Sequence, residues 1–110
     1  CMQNYSEAAF WYEEGAKRGH LESFNNLGAL YKEGHGVPQD NARTFICFKR
    51  AAEGGLAEGL YNLGMLYDQG IGCAQDHDEA LDLCRKAAYK GHEKAKQIIK
   101  GLQEDGKIVF

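Results

Sequence analysis

The sequence predicts an all-α solenoid assembled from a 36-residue repeat, and two observations carry that prediction. The first is an internal copy. Asn26-Leu27-Gly28-Ala29-Leu30-Tyr31-Lys32-Glu33-Gly34-His35-Gly36 returns as Asn62-Leu63-Gly64-Met65-Leu66-Tyr67-Asp68-Gln69-Gly70-Ile71-Gly72, thirty-six residues on at every position and with no insertion. The same step carries Asn4 to Asp40 to Asp76, Gly19 to Gly55 to Gly91, and Gly15-Ala16 to Ala51-Ala52 to Ala87-Ala88. A fixed period of this length is the signature of stacked repeats. The second is composition. There is a single proline, Pro38, alanine and leucine are frequent, and most glycines sit at fixed places in the period, which favours helix throughout.

Each repeat reads as two helices, B and A. Asn4-Tyr5-Ser6-Glu7 and Asp76-His77-Asp78-Glu79 are helix starts with a capping side chain and a glutamate three residues later; Asp40 is the equivalent cap, with Arg43 in the glutamate's place. Apolar residues then follow at helical spacing: Tyr5, Ala8, Trp11, Tyr12 and Ala16; Phe45, Phe48, Ala51 and Ala52; Ala80, Leu83, Cys84, Ala87 and Ala88. Gly19, Gly55 and Gly91 supply the left-handed reversal that ends each B helix. Helix A follows, with stripes of Phe24, Leu27, Leu30, Tyr31 and of Leu60, Leu63, Leu66, Tyr67. Gly28 and Gly64 interrupt those stripes in register. A glycine inside a helix costs about 1 kcal/mol relative to alanine, so the repetition predicts close approach of another helix. Ser23, Gly59 and Ala95 form a second small position. The Gly34-x-Gly36 and Gly70-x-Gly72 loops return the chain to the next B helix.

The expected organisation of the single domain, residues 1–110, is a flanking helix B at 4–18, repeat one at 20–54, repeat two at 56–90 and a capping helix A at 92–104. In the last helix Lys96 replaces the apolar Phe24 and Leu60, and Lys100 replaces the glycine, giving the polar outer face that a terminal helix needs. The first B helix has no A helix ahead of it, so its face near Phe10 and Trp11 is expected to be thinly covered. With no initiating methionine and no targeting segment, the chain reads as an excised fragment. A lipid-anchored Cys1 is disfavoured because the first helix begins almost at once.

Composition narrows the function classes. A formal net charge of -3 with interspersed signs makes no electrostatic case for nucleic acid or an anionic membrane. No apolar run approaches a bilayer span, so membrane insertion is not expected. Cys1, Cys47, Cys73 and Cys84 include no pair one repeat length apart, and read as individual buried or free thiols. A Cys73–Cys84 or Cys47–Cys84 bridge stays open, and with it the compartment: cytoplasmic, periplasmic and secretory settings all fit.

The motif Leu27-Gly28-x-x-Tyr31-x-x-Gly34-x-Gly36-Val37-Pro38-x-Asp40, followed by Ala51-Ala52-x-x-Gly55, resembles the Sel-1-like repeat, a relative of the tetratricopeptide repeat with a longer loop. Ala8 and the Trp11-Tyr12 pair fit its helix B. The departures are local: Cys73 for a loop valine, Cys47 for tryptophan, Thr44 for alanine, and the degenerate last helix. The resemblance implies a right-handed α/α superhelical solenoid of antiparallel helix pairs, with A helices lining the concave side, acting as an adaptor that holds peptides or proteins.

On that architecture the candidate partner-binding residues are the A-helix positions flanking the core stripe. They are Glu22, Asn25, Ala29, Lys32 and Glu33 in the first repeat and Glu58, Tyr61, Met65, Asp68 and Gln69 in the second, with Lys94 and Gln97 continuing the row. Asn25 and Tyr61 are expected to hydrogen-bond an extended peptide, and Tyr61 and Met65 to give adaptable apolar contact. For any one of these residues a solvated helix face is the better explanation; as a set the row favours a binding surface, because exposed Tyr and Met are unusual without a task. Trp11, Tyr12, Phe24, Tyr31 and Tyr67 at helical spacing read as core rather than as a platform for stacked bases. Cys73, His77 and Cys84 do not complete a tetrahedral metal set. Ser6 and Ser23 begin no Ser-x-x-Lys motif, so a β-lactamase-like activity lacks its nucleophile. Cys84 beside Arg85 and Lys86 is the one candidate reactive thiol. The expectation is therefore a non-enzymatic module without metal or cofactor that binds a protein or peptide. The runner-up is a structural segment of a longer array, able to self-associate through its uncovered N-terminal helix.

Overall fold

The computed structural model describes residues 4–107. Six helices follow in order: α1 Tyr5–Lys17, α2 Leu21–Glu33, α3 Asn41–Glu53, α4 Ala57–Gln69, α5 His77–Tyr89 and α6 Glu93–Glu104. Among the described residues there is no strand. Each helix packs chiefly on its neighbours in sequence, and the body is drawn out to 45 × 28 × 24 Å. Its radius of gyration of 14.7 Å exceeds the roughly 13 Å of a compact domain of this length. The chain is an all-helical solenoid.

The repeated caps act as the sequence implies. Asn4, Asp40 and Asp76 each accept a hydrogen bond from the backbone N–H three residues on, at 3.0, 3.1 and 3.0 Å. Arg43, in the place of the capping-box glutamate, instead pairs through Nε with Asp40 at 3.4 Å and donates to the Tyr31 hydroxyl at 3.2 Å. Thr44 is fully buried where alanine was expected, and its hydroxyl is satisfied by the Asp40 carbonyl at 2.9 Å.

Glycine sets the spacing between helices. A Cβ on Gly28 would lie 2.8 Å from the Phe48 ring and 3.1 Å from Cys47, and one on Gly64 would lie 3.2 Å from the Ala80 carbonyl and 3.4 Å from Leu83. Each A helix thus crosses the next B helix at its glycine, as the register predicts. The second glycine of each loop does a different job. Gly36 and Gly72, both at positive φ, rest on the backbone of the first turns of α1 and α3, where a Cβ would fall within 2.6 Å of backbone atoms.

The core is continuous from Phe48 through Leu60, Leu63, Leu66, Leu83 and Cys84 to Ala95 and Ile99. Toward α1 it dwindles to Leu27, Tyr31 and Cys47, with Tyr12, Ala16 and Val37 against them. Two expectations met at Trp11, and the structure decides between them. Trp11 is not core, as its helical spacing suggested, but 61% exposed, as the lack of an A helix ahead of α1 suggested: no helix among the described residues covers that face.

A Cβ on Gly59 would meet the Ala51 Cβ at 2.6 Å and its backbone carbon at 2.9 Å, whereas Gly101 has nothing within 4 Å. Overpacking of about 1–3 kcal/mol outweighs the roughly 1 kcal/mol of helix propensity that alanine gains. Gly59→Ala should therefore lower the urea unfolding midpoint and Gly101→Ala raise it; equal shifts would contradict this packing.

Candidate functional site: a groove across α2 and α4

A groove of about 480 Å³ lies across α2 and α4. It gathers Asn25, Ala29, Lys32, Glu33, Glu58, Tyr61, Met65 and Gln69 from the predicted row. Ala29, Met65, Phe48 and Leu66 form its apolar floor, and the amides of Asn26, Asn62 and Gln69 and the charges of Lys32, Glu33 and Glu58 stand around it. Glu22 lies in an adjoining depression with Asn25, Asn26, Leu56 and Glu58. Asp68 lies apart, in a pocket shared with Met65, His77 and Leu102, where its carboxylate sits 2.9 Å from His77 Nδ1. Lys94 and Gln97 are exposed on α6.

Two residues differ from expectation. Asn25 is buried, and its Oδ1 accepts from Asn62 Nδ2 at 2.9 Å. It braces α2 against α4, so its carbonyl oxygen already has a partner. Tyr61 is only half-exposed, because the His92 ring stacks on it with centroids 4.4 Å apart. His92 holds the start of α6: its Nδ1 accepts from the Ala95 N–H at 3.2 Å, and its Nε2 lies 2.7 Å from Glu58 Oε1. With Nδ1 accepting, the proton sits on Nε2 and is donated to Glu58. Sequence reading missed Asn26, Asn62 and His92. The asparagines had a signal, since they head the two copies of the repeated segment. His92 stands two periods after His20 and reads as an ordinary polar helix start, because its partners lie at other phases of the period.

The thiols are shielded. Cys47, Cys73 and Cys84 are free; Cys1, with its share of the disulfide question, lies outside the described residues. Burial pushes the Cys47 thiol up to about 11, and raises Cys84 and Cys73 as well. A raised thiol holds less thiolate at neutral pH and is a poorer nucleophile, so the environment of Cys84 works against the reactive role its basic neighbours suggested. Among the described residues no group of three or more His, Cys, Asp or Glu is placed to hold a metal ion. No helix there is long and apolar enough to cross a membrane.

The family model of the Sel1 repeat matches residues 1–20, 25–56 and 57–92. The chain belongs to the Sel1 repeat family. Two solved structures carry the likeness into three dimensions. A protective antigen present in uropathogenic Escherichia coli strains, displaying an SLR fold, superposes with a TM-score of 0.87 at 33% identity over 94% of this chain. A Sel1 repeat protein from Oxalobacter formigenes gives 0.88 at 29% identity over 96%. This chain spans only 22% and 42% of the lengths of those proteins. Sel1 repeats generally serve as protein-interaction modules, and the groove draws side chains from both α2 and α4.

His92 supports the groove from outside it, through Tyr61 and Glu58. Losing a cap costs about 1 kcal/mol, and His92→Ala also frees Glu58 and uncovers Tyr61. The variant should lower the unfolding midpoint and render Tyr61 more accessible to nitration, while nitrogen NMR of the parent should find the proton on Nε2. An unchanged midpoint and unchanged Tyr61 would contradict this arrangement.

Proposed function

We propose that this chain is a non-enzymatic interaction module, an adaptor or scaffold that holds a protein or peptide along the A-helix surface, the concave side of the superhelix. The observation that carries the reading is the groove itself: one depression with an apolar floor at Ala29 and Met65, rimmed by amides. An extended peptide can seat a side chain on that floor while Asn26, Asn62 and Gln69 hydrogen-bond its backbone. The mixed charges of Lys32, Glu33 and Glu58 select no strongly charged ligand. The raised thiols and the lack of a serine–lysine motif support a role without catalysis.

A second reading, a structural segment of a longer array, has the bare Trp11 face in its favour. A chain of that kind joins neighbouring repeats, or self-associates through α1 when alone.

Selection from a random-peptide display library tests the first reading. The double variant Ala29→Glu, Met65→Glu should lose the selected peptides with helicity intact, and Ile46→Glu, on α3 and outside the groove, should keep them. Undiminished binding by the double variant would place the site elsewhere.

A further inference from the structure

Four positions of the B helices compare directly across the period. In α3 they are Thr44, Cys47, Phe48 and Ala51, and in α5 Ala80, Leu83, Cys84 and Ala87; all are buried, none more than 7% exposed. In α1 they are Ala8, Trp11, Tyr12 and Gly15, and none is buried. The cover in α3 and α5 comes from the A helix ahead of each, through Gly28 against Cys47 and Phe48 and through Gly64 against Leu83. Phe10 is a useful contrast. It is 53% exposed, but its counterpart Ile46 is 54% exposed, so solvent is normal at that position. Only the Trp11 stripe lacks what its counterparts have.

From this we infer that the Ala8–Trp11–Tyr12 face of α1 is a seat for one more helix of the α2/α4 type, supplied by a repeat preceding α1 in the same polypeptide. The inference takes the structural-segment reading further and leaves the groove untouched. Two observations choose this occupant. First, Cys1-x-Gln3-Asn4 repeats Cys73-x-Gln75-Asp76 two periods on, with Val37-x-Gln39-Asp40 between. Those later copies close the loop that runs from an A helix into the next B helix. Second, a second copy of the chain has no free helix of the α2/α4 type to offer. Its α2 and α4 are already seated on α3 and α5. Its α6 carries Lys100 where α2 and α4 carry the crossing glycine, and Lys96 where they carry Phe24 and Leu60. A lysine at the crossing keeps two helices apart and would bury a charge. The stripe on α1 is thus uncovered, while α6 lacks the glycine crossing that α2 and α4 offer.

Trp11 is the sole tryptophan, so its fluorescence reports on this face alone. Fusing a second copy of residues 40–72, which holds a complete α3–α4 hairpin and no tryptophan, directly ahead of Cys1 keeps the 36-residue phase. Trp11 emission should shift to shorter wavelength and acrylamide quenching should fall. The same fusion with Gly64→Lys in the added copy imitates α6 and should restore both values, with circular dichroism showing the added helices in each. Unchanged emission in the first fusion overturns the seat, leaving the array reading to stand only through another face. Emission that shifts with concentration in the unfused chain, with dimers in sedimentation, would make the occupant a second copy and overturn the proposal equally.

Discussion

The fold depends on how closely each A helix can cross the B helix that follows it. At Gly28 a Cβ would overlap the Phe48 ring, and at Gly64 it would press on the Ala80 carbonyl, 3.2 Å away, with Leu83 in ordinary contact beside it. Close crossing is what lets Phe48, Leu63, Leu66 and Leu83 bury themselves together. Burying such a side chain contributes about 1.5–3 kcal/mol, against roughly 1 kcal/mol for a mid-helix glycine. The sum favours glycine wherever two helices must cross this closely.

Local signals agree with that crossing rather than compete with it. The caps at Asn4, Asp40 and Asp76, the reversals at Gly19, Gly55 and Gly91, and the loop glycines at positions 34, 36, 70 and 72 all recur in phase. Such consistency across levels marks a sequence that specifies one structure. In a repeat protein stability is close to a sum of nearest-neighbour terms. The thin cluster around Leu27 and Tyr31 therefore makes α1 the weaker end.

Periodicity made the helices, their caps and their glycine crossings readable before any coordinates, because each is a local event repeated at one phase. The side-chain contacts that shape the groove join different phases and left no periodic trace. Asn25 meets Asn62, Tyr61 meets His92, and Tyr31 meets Arg43 at offsets of 37, 31 and 12 residues. That is why Asn25 looked free in the sequence and proves to be a brace, and why Tyr61 looked open and proves to be half-covered. Trp11 carried two signals: its helical stripe marks a face that seeks cover, and the lack of an A helix ahead of α1 marks that face as bare; the second prevailed.

The measurement that tests the central constraint most directly is an NMR search for proton–proton contacts at the two crossings. Cross-peaks from the Gly28 Hα protons to the Phe48 ring, and from the Gly64 Hα protons to the Leu83 side chain, are what this packing predicts. Their absence in a folded, helical sample would mean that the helices do not meet at their glycines, and the account would fall.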